Sequence, residues 1–241
     1  MRPGLWARSL AFGVAFATLM AAMGLLGAPV VLWRERWCRA WQKAHNRAAF
    51  WLLARLCGLS VEVRGPVPDG AVIVAAKHES LLDVLVLYNA LPEARFAMKR
   101  SLLWVPIFGL YAWRTGGVPI DRSRGRDAFS RLESAFQDRT GQAVVYPQGT
   151  RVPPGHYLPY RTGAARLGTA LGRPIVPAAT NAGLFWPRRG LLRRPGVAVV
   201  EFLPPPPEGA GPAETTAAIE RAVEIASARL RSEAGFRTAR P

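Results

Sequence analysis

The chain has little cysteine, little histidine and little acid. Cys38 and Cys57 are its 2 cysteines in 241 residues. They lack metal-ligand spacing, so a disulfide framework or a zinc site is not expected; both read as reduced packing residues in an apolar region. With 3 histidines, positions for general-base chemistry are few. Acidic residues number 16 against 32 Lys and Arg, a formal charge of +16. An excess of this size calls for a polyanionic partner: nucleic acid, an anionic membrane or a phosphorylated substrate. Arg outnumbers Lys, which favours bidentate pairing with phosphate or carboxylate. No nucleic-acid-binding motif accompanies the charge. There is no G-x-S-x-G elbow and no cysteine plausibly near a histidine, so no covalent nucleophile is evident. Nor is there an internal repeat. Half of the residues are apolar, which excludes a disordered chain, and the length suffices for one well-buried domain with an N-terminal appendage.

One charge is also missing locally. From Ser9 to Trp33 there is no charged residue, a run long enough to cross a bilayer. A cleaved signal peptide is one reading; the length of the run and the basic residues Arg34, Arg36 and Arg39 directly after it argue for retention. A spanning helix is another, with basic residues on both flanks and a mild bias towards a cytoplasmic C-terminal side. The third reading adds the next segment. Trp37, Trp41, Ala44, Ala48, Trp51, Leu52 and Leu56 recur at helical spacing, with Arg36, Arg39, Lys43 and Arg47 on another face. This predicts a basic amphipathic helix lying in the headgroup layer, or else an ordinary surface helix packed on the domain. A two-helix anchor fits both segments, with Pro29 kinking or ending the first helix. The boundary falls at Gly58: residues 1–58 as N-terminal membrane-anchoring helices, 59–241 as an α/β domain.

Beyond Gly58, short β-branched runs alternate with helical stretches. Strands are predicted at Val61–Val63, Ala71–Ala76, Arg95–Met98, Gly117–Ile120, Gln142–Tyr146, Pro174–Ala178 and Val197–Phe202. Helices are predicted at Ser80–Ala90, Asp127–Arg139, Thr162–Leu171 and Ala213–Glu233, with Pro204–Pro207 a linker before the last. The alternation argues for an α/β fold with a mixed, largely parallel sheet flanked by helices.

Two segments carry chemistry. In His78-Glu79-Ser80-Leu81-Leu82-Asp83 the His follows a buried strand and Ser80 opens a helix. Five positions along one helix turn through roughly 500°, so His78 and Asp83 meet only if His78 precedes the helix and Asp83 lies in its first turn. Asp83 would then accept from one imidazole nitrogen and fix the tautomer, leaving the other to take a proton from an attacking hydroxyl. Alone, this spacing is a weak signal. The second segment is Tyr146-Pro147-Gln148-Gly149-Thr150-Arg151. A strand-end Gly lets the backbone approach an anion, and Thr150 and Arg151 add donors; an ordinary turn is the plainer reading. Arg122 and Lys99, each at a strand end, are further candidates for an anion clamp.

These residues bring a resemblance into view. Lys77 to Asp83 resembles the N-H-x-S-x-x-D block of the glycerolipid acyltransferases, with Lys in place of Asn. Gly116 to Arg122 is similar to their G-x-x-x-I-D-R block, Tyr146 to Val152 to F-P-E-G-T-R-S, and Arg173-Pro174-Ile175-Val176-Pro177 to the apolar V-P-I-V-P block. Lys99 to Gly109 resembles K-x-x-L-x-x-x-P-x-x-G, and Asn181–Arg189 the loop that follows. The blocks keep their order over about Lys77–Pro177, and within the family the bacterial 1-acyl-sn-glycerol-3-phosphate acyltransferases are the nearest likeness.

The resemblance implies His78 as general base and Asp83 as its orienter. It implies Arg122, Gly149, Thr150, Arg151 and Lys99 as phosphate ligands, Gln148 as an acceptor-positioning residue, and Pro174, Ile175, Val176 and Pro177 as the acyl-donor region. The implied reaction acylates the 2-hydroxyl of lysophosphatidic acid to phosphatidic acid, with acyl-CoA or acyl-acyl carrier protein as co-substrate and no metal or prosthetic group. The implied setting is an anionic membrane surface, the cytoplasmic face of a bacterial inner membrane, with no nucleic-acid partner. Besides Lys77, one departure matters: Gln148 stands where the family has Glu. That departure keeps two alternatives, acylation of another lyso-lipid such as a lyso-ornithine lipid, and a non-catalytic basic membrane-binding protein.

Overall fold

The computed structural model describes residues 3–121 and 125–236. Seven strands form one sheet: β1 (Leu59–Arg64), β2 (Ile73–Ala76), β3 (Arg95–Lys99), β4 (Val118–Ile120), β5 (Ala143–Val145), β6 (Ile175–Thr180) and β7 (Gly196–Phe202), in the order β1-β7-β6-β2-β5-β3-β4. All pairings are parallel except β6 with β7. Every predicted strand is present within a few residues. β2 and β5 are buried along their whole length, as central parallel strands covered on both faces require, which explains their unbroken apolar runs. β1, at the edge, mixes buried and exposed positions.

Helices cover both faces. On one, α1 (Pro3–Leu26), α3 (Glu35–Leu52) and α4 (Leu81–Ala90) close a core that includes Phe12, Leu53, Leu59, Val74, Leu82 and Trp186. On the other, α6 (Gly125–Gln137), α7 (Gly163–Leu171) and α8 (Pro212–Glu233) bury Leu132, Phe136, Leu167, Ile219, Val223 and Leu230 against Ile73, Ala143 and Ile175. Two short helices were not anticipated: α2 (Ala28–Trp33) and α5 (Phe108–Arg114), the latter preceded by a 3-10 turn at Arg100–Trp104.

The N-terminal region both agrees with and departs from its expectation. Residues Gly4–Leu26 form a helix long and apolar enough to cross a membrane. It ends before Gly27, and α2 begins with Pro29 in its first turn, where a missing N–H costs nothing. Gly27 is needed there, because a Cβ would sit 2.1 Å from Tyr111 Oη and 2.2 Å from Trp41 Nε1. α1 is not separate from the domain: Phe12 is fully buried and meets Trp186 edge-on at 5.4 Å. α3 also packs on the domain, burying Cys38, Ala49 and Asn46, while Trp37 and Trp51 point outward. Two of the residues assigned to its headgroup-facing side are turned inward. Arg39 donates to Ala94 O (2.8 Å) and Thr115 O (2.8 Å), and Lys43 to Leu91 O (2.6 Å). Carbonyls at the ends of α4 and α5 and in the turn before β3 need donors, and these two cations supply them.

Candidate active site

In a parallel sheet the space beyond the carboxyl ends of the strands is the natural place for a ligand. β2 runs into this space at Lys77-His78. Ser80 caps α4, its Oγ accepting from Leu82 N (3.0 Å), and Asp83 completes a capping box as the third helical residue. Asp83 Oδ2 accepts from Glu79 N (2.9 Å) and Ser80 N (2.6 Å). Its other oxygen, Oδ1, lies 2.9 Å from His78 Nδ1 and accepts from the Tyr146 hydroxyl at 3.2 Å. The strand-turn-helix placement expected for the pair is therefore present. Asp83 plays two parts, since one oxygen caps the helix and the other orients the base.

A carboxylate only accepts, so Nδ1 carries the proton and Nε2 holds the lone pair. The His78 ring stacks on Tyr146 with centroids 4.0 Å apart and an 18° tilt. Burial, and then the Asp83 charge, push the Tyr146 phenol well above its ordinary range, so it stays protonated and donates to Asp83. The His78 side chain is 17% exposed and Asp83 1%, so the base reaches solvent and its orienter does not.

A covalent route through Ser80 is closed. Ser80 is fully buried, and its proton is committed to Trp186 O at 2.6 Å. Both cysteines are buried in the N-terminal helical region; burial pushes the Cys38 thiol up to about 11 and raises that of Cys57 as well. An external hydroxyl remains as nucleophile.

β5 ends beside β2 and leads into the anion-binding candidate. Gly149 N donates to Tyr146 O (2.9 Å), and Gly149 has φ +71°, a conformation that favours glycine. Val152 N donates to His78 O at 2.8 Å, which ties the Gly149–Arg151 turn to the base. The backbone carbonyl of Arg151 accepts from Arg188 Nη1 (3.1 Å), whereas the Arg151 guanidinium has no hydrogen bond or ion pair among the described residues. Lys99 is exposed at the carboxyl end of β3, two strands from β2 in the sheet order and so roughly 10 Å away across it. Arg122 lies outside the described residues. Gln148 is buried, its Nε2 3.5 Å from Leu158 O, and its Oε1 has no partner. Its amide faces the loop that follows Arg151 and, among the described residues, makes no hydrogen bond to that guanidinium.

The apolar block runs along β6 beside β2, and its last residue, Pro177, pairs with Ala75. Pro174 precedes β6, and Ile175 and Val176 pair in register with Ile73 and Val74, several residues before His78. Ile175 fills one core, Val176 packs against the other, and Val176 also lines a groove of about 370 Å³ with Pro66, Val67, Pro68, Leu203, Pro204 and Pro205. This groove lies at the opposite end of the sheet from His78. The residues not anticipated at the site are Trp186, which accepts from Ser80, and the hydroxyl of Tyr146; an aromatic at position 146 was expected from the motif, but its contact with Asp83 was not.

Residues 60–181 match the Acyltransferase family, half of the chain, and the protein belongs to that family. A 1-acyl-sn-glycerol-3-phosphate acyltransferase of Pseudomonas aeruginosa is 29% identical over 82% of this chain and 79% of its own length. The Escherichia coli protein of the same name is 33% identical over 65% of this chain and 66% of its own. The fold is shared with the crystal structure of the 1-acyl-sn-glycerophosphate (LPA) acyltransferase PlsC from Thermotoga maritima: TM-score 0.77, 20% identity, 93% of this chain and 98% of that one.

Proposed function

We propose that this protein transfers a fatty acyl group from an acyl thioester to the 2-hydroxyl of 1-acyl-sn-glycerol-3-phosphate, giving phosphatidic acid. The observation that carries the proposal is the set His78–Asp83–Tyr146 facing the Gly149–Arg151 turn at one end of the sheet, in a chain of the acyltransferase family. His78 Nε2 takes the proton of the 2-hydroxyl as that oxygen attacks the thioester carbonyl. The tetrahedral intermediate collapses, the C–S bond breaks, and the departing thiolate takes the proton from the imidazolium. Asp83 stabilises the charged ring throughout. Arg151 and Thr150 hold the phosphate, Gly149 supplies the turn that lets the chain approach it, and Lys99 and Arg122 are outlying cations. The donor is acyl-CoA or acyl-acyl carrier protein, and the reaction as written uses no metal or prosthetic group.

The protein works at a membrane, with its domain on the cytoplasmic face of the inner membrane. Supporting this, α1 leaves Leu10, Val14, Met20, Leu25 and Leu26 exposed. The Arg100–Arg114 segment, tied to the end of α1 through Tyr111 Oη to Gly24 O (3.2 Å), exposes Trp104 and Trp113 at 84% and 65%. Indole rings of this exposure suit the headgroup layer.

The test is acyl transfer from a labelled acyl thioester to lysophosphatidic acid in vesicles, with the parent beside His78→Ala. Phosphatidic acid from the parent alone supports the proposal. A parent inactive with both donor types overturns it. The second reading, another lyso-lipid acceptor, is favoured by Gln148 alone; it expects an acceptor without phosphate to tolerate Arg151→Ala.

A further inference from the structure

The turn that carries His78 is held from behind by a polar stripe on α8. Side chains alternate along Lys77–Ser80. His78 and Ser80 face Asp83 and Trp186; Lys77 and Glu79 point the other way, towards α8. Lys77 is buried with 1% exposure, an unusual place for an unbranched ammonium. Its Nζ donates to both oxygens of Glu224, at 2.6 and 2.5 Å, and Glu224 Oε1 also accepts from the Tyr160 hydroxyl at 3.2 Å. Two turns further along α8, Arg231 Nη1 stands 3.9 Å from Glu79 Oε1. Between them, Ser227 Oγ accepts from Thr180 N at 3.4 Å, at the end of β6. Positions 224, 227 and 231 fall on one helix face, the spacing by which a helix presents a stripe to a neighbour. They lie beside the apolar buried residues Ile219, Val223, Ala226 and Leu230. Lys77 is also the position at which this chain departs from the family's Asn, and an ammonium there needs a carboxylate that a neutral amide would not.

We infer that Lys77 and Glu224 are a charge-compensated positioning pair for the general base: the buried ion pair fixes the residue preceding His78 against α8, and so sets the ring of His78 for Asp83 and the acceptor. This rests on the proposed acyl transfer for its kinetic reading and on geometry alone for the rest. Lys77 N donates to Ala178 O (2.9 Å) and His78 O accepts from Val152 N, so the backbone on both sides of the Lys77–His78 peptide is pinned. The Lys77 side chain supplies the third fixed point. Removing Glu224 leaves the Lys77 ammonium buried without its partner, and removing Lys77 leaves the Glu224 carboxylate, 23% exposed, with Tyr160 alone; removing both charges leaves a neutral contact.

The experiment compares Lys77→Met, Glu224→Asp and the double variant Lys77→Met/Glu224→Gln, in which the amide can still accept from Tyr160. Two readouts are taken on the full chain in vesicles or detergent. The first is kcat and KM for lysophosphatidic acid. Lys77→Met is expected to lower kcat at least tenfold with KM within twofold, and the double variant to return within threefold of the parent. The second is the Nδ1–H proton resonance of His78 in histidine-labelled protein, assigned with His78→Ala. It is expected to broaden or disappear in Lys77→Met and to return in the double variant. If Lys77→Met does not fold, Glu224→Asp, which keeps the charge but shortens its reach, is expected to lower kcat several-fold with unfolding temperature preserved. Parental kcat and an unchanged resonance in folded Lys77→Met or Glu224→Asp overturn the inference, as does a double variant no better than the single. A parent without lysophosphatidic acid turnover overturns the proposed function instead, and the His78 resonance then decides this inference by itself.

Discussion

The two turns at the carboxyl end of the sheet are built in opposite ways. The turn after β2 is largely satisfied by the protein itself, with Glu79 Oε1 as its one side-chain oxygen left without a hydrogen bond among the described residues. Both oxygens of Asp83 are engaged, the Ser80 hydroxyl both accepts and donates, and Glu79 and Lys77 are anchored in the interior. The turn after β5 is fixed by its backbone, with Gly149 N on Tyr146 O and Val152 N on His78 O, while the Arg151 guanidinium is left without a protein partner among the described residues. A base must be aimed before the substrate arrives, so its surroundings are complete in advance. A phosphate clamp must keep its donors for the ligand.

Disturbing the turn after β2 should do most harm. His78→Ala is expected to lower kcat by about 10³-fold or more with membrane association unchanged, since a general base contributes roughly 10²–10⁴. Initial rates in vesicles read this; a near-parental rate would remove His78 from the chemistry. Disturbing the open turn should instead weaken binding. Arg151→Ala is expected to raise the KM for lysophosphatidic acid about 10- to 100-fold with little change in kcat, as loss of a charge-assisted bond of about 1.5–3 kcal/mol implies. A rate and KM equal to the parent's would take Arg151 out of the site. Tyr146→Phe, which keeps the stack on His78 and deletes one donor to Asp83, should lower kcat by only about 3- to 10-fold, the size of a single bond of about 1 kcal/mol. A loss as large as that of His78→Ala would mean that the phenol itself takes part in proton transfer.

The last effect concerns stability and pH rather than rate. Burial raises the Glu79 carboxyl to about 8, against the lowering influence of Lys77, the Gly183 N–H and Arg231 and with Asp83 adding to the rise. The unfolded chain ionises Glu79 near the ordinary value of about 4.3, so the folded state binds the proton more tightly. The stabilisation this gives is full below that value and is lost as pH rises through about 8. Chemical denaturation of the parent and Glu79→Gln at pH 5, 7 and 9 should show a stability gap that moves in favour of the variant with rising pH. A gap independent of pH would contradict the assignment.

Much of this was legible in the sequence, for particular reasons. Ile73–Ala76 and Ala143–Val145 declare themselves because central parallel strands have no polar face. The His78–Asp83 pairing was readable because a cap residue, Ser80, stands between them and implies the turn. What escaped was whatever depends on distant partners. Arg39 and Lys43 carry the charge of surface residues, but carbonyls from Leu91, Ala94 and Thr115 draw them inward. Glu224 and Arg231 look like the solvated face of a terminal helix, and only the tertiary fold brings Lys77 and Glu79 to them. α5 escaped because Phe108–Arg114 is only 7 residues, too short to show a helical period of its own. The apolar block Pro174–Pro177 resembles a family motif, yet its place in the fold is a central strand whose first residues lie far from the base.

The central claim is that Asp83 holds His78 with its lone pair on Nε2, facing the acceptor. Asp83→Asn tests it most directly. The amide oxygen can still accept from Glu79 N and Ser80 N, so the cap survives, but the amide nitrogen then faces Nδ1 and demands the wrong tautomer. Steady-state acyl transfer to lysophosphatidic acid should show kcat lowered by about 10²- to 10⁴-fold, with KM and unfolding temperature close to the parent's. A folded Asp83→Asn variant that turns over within threefold of the parent would contradict the account.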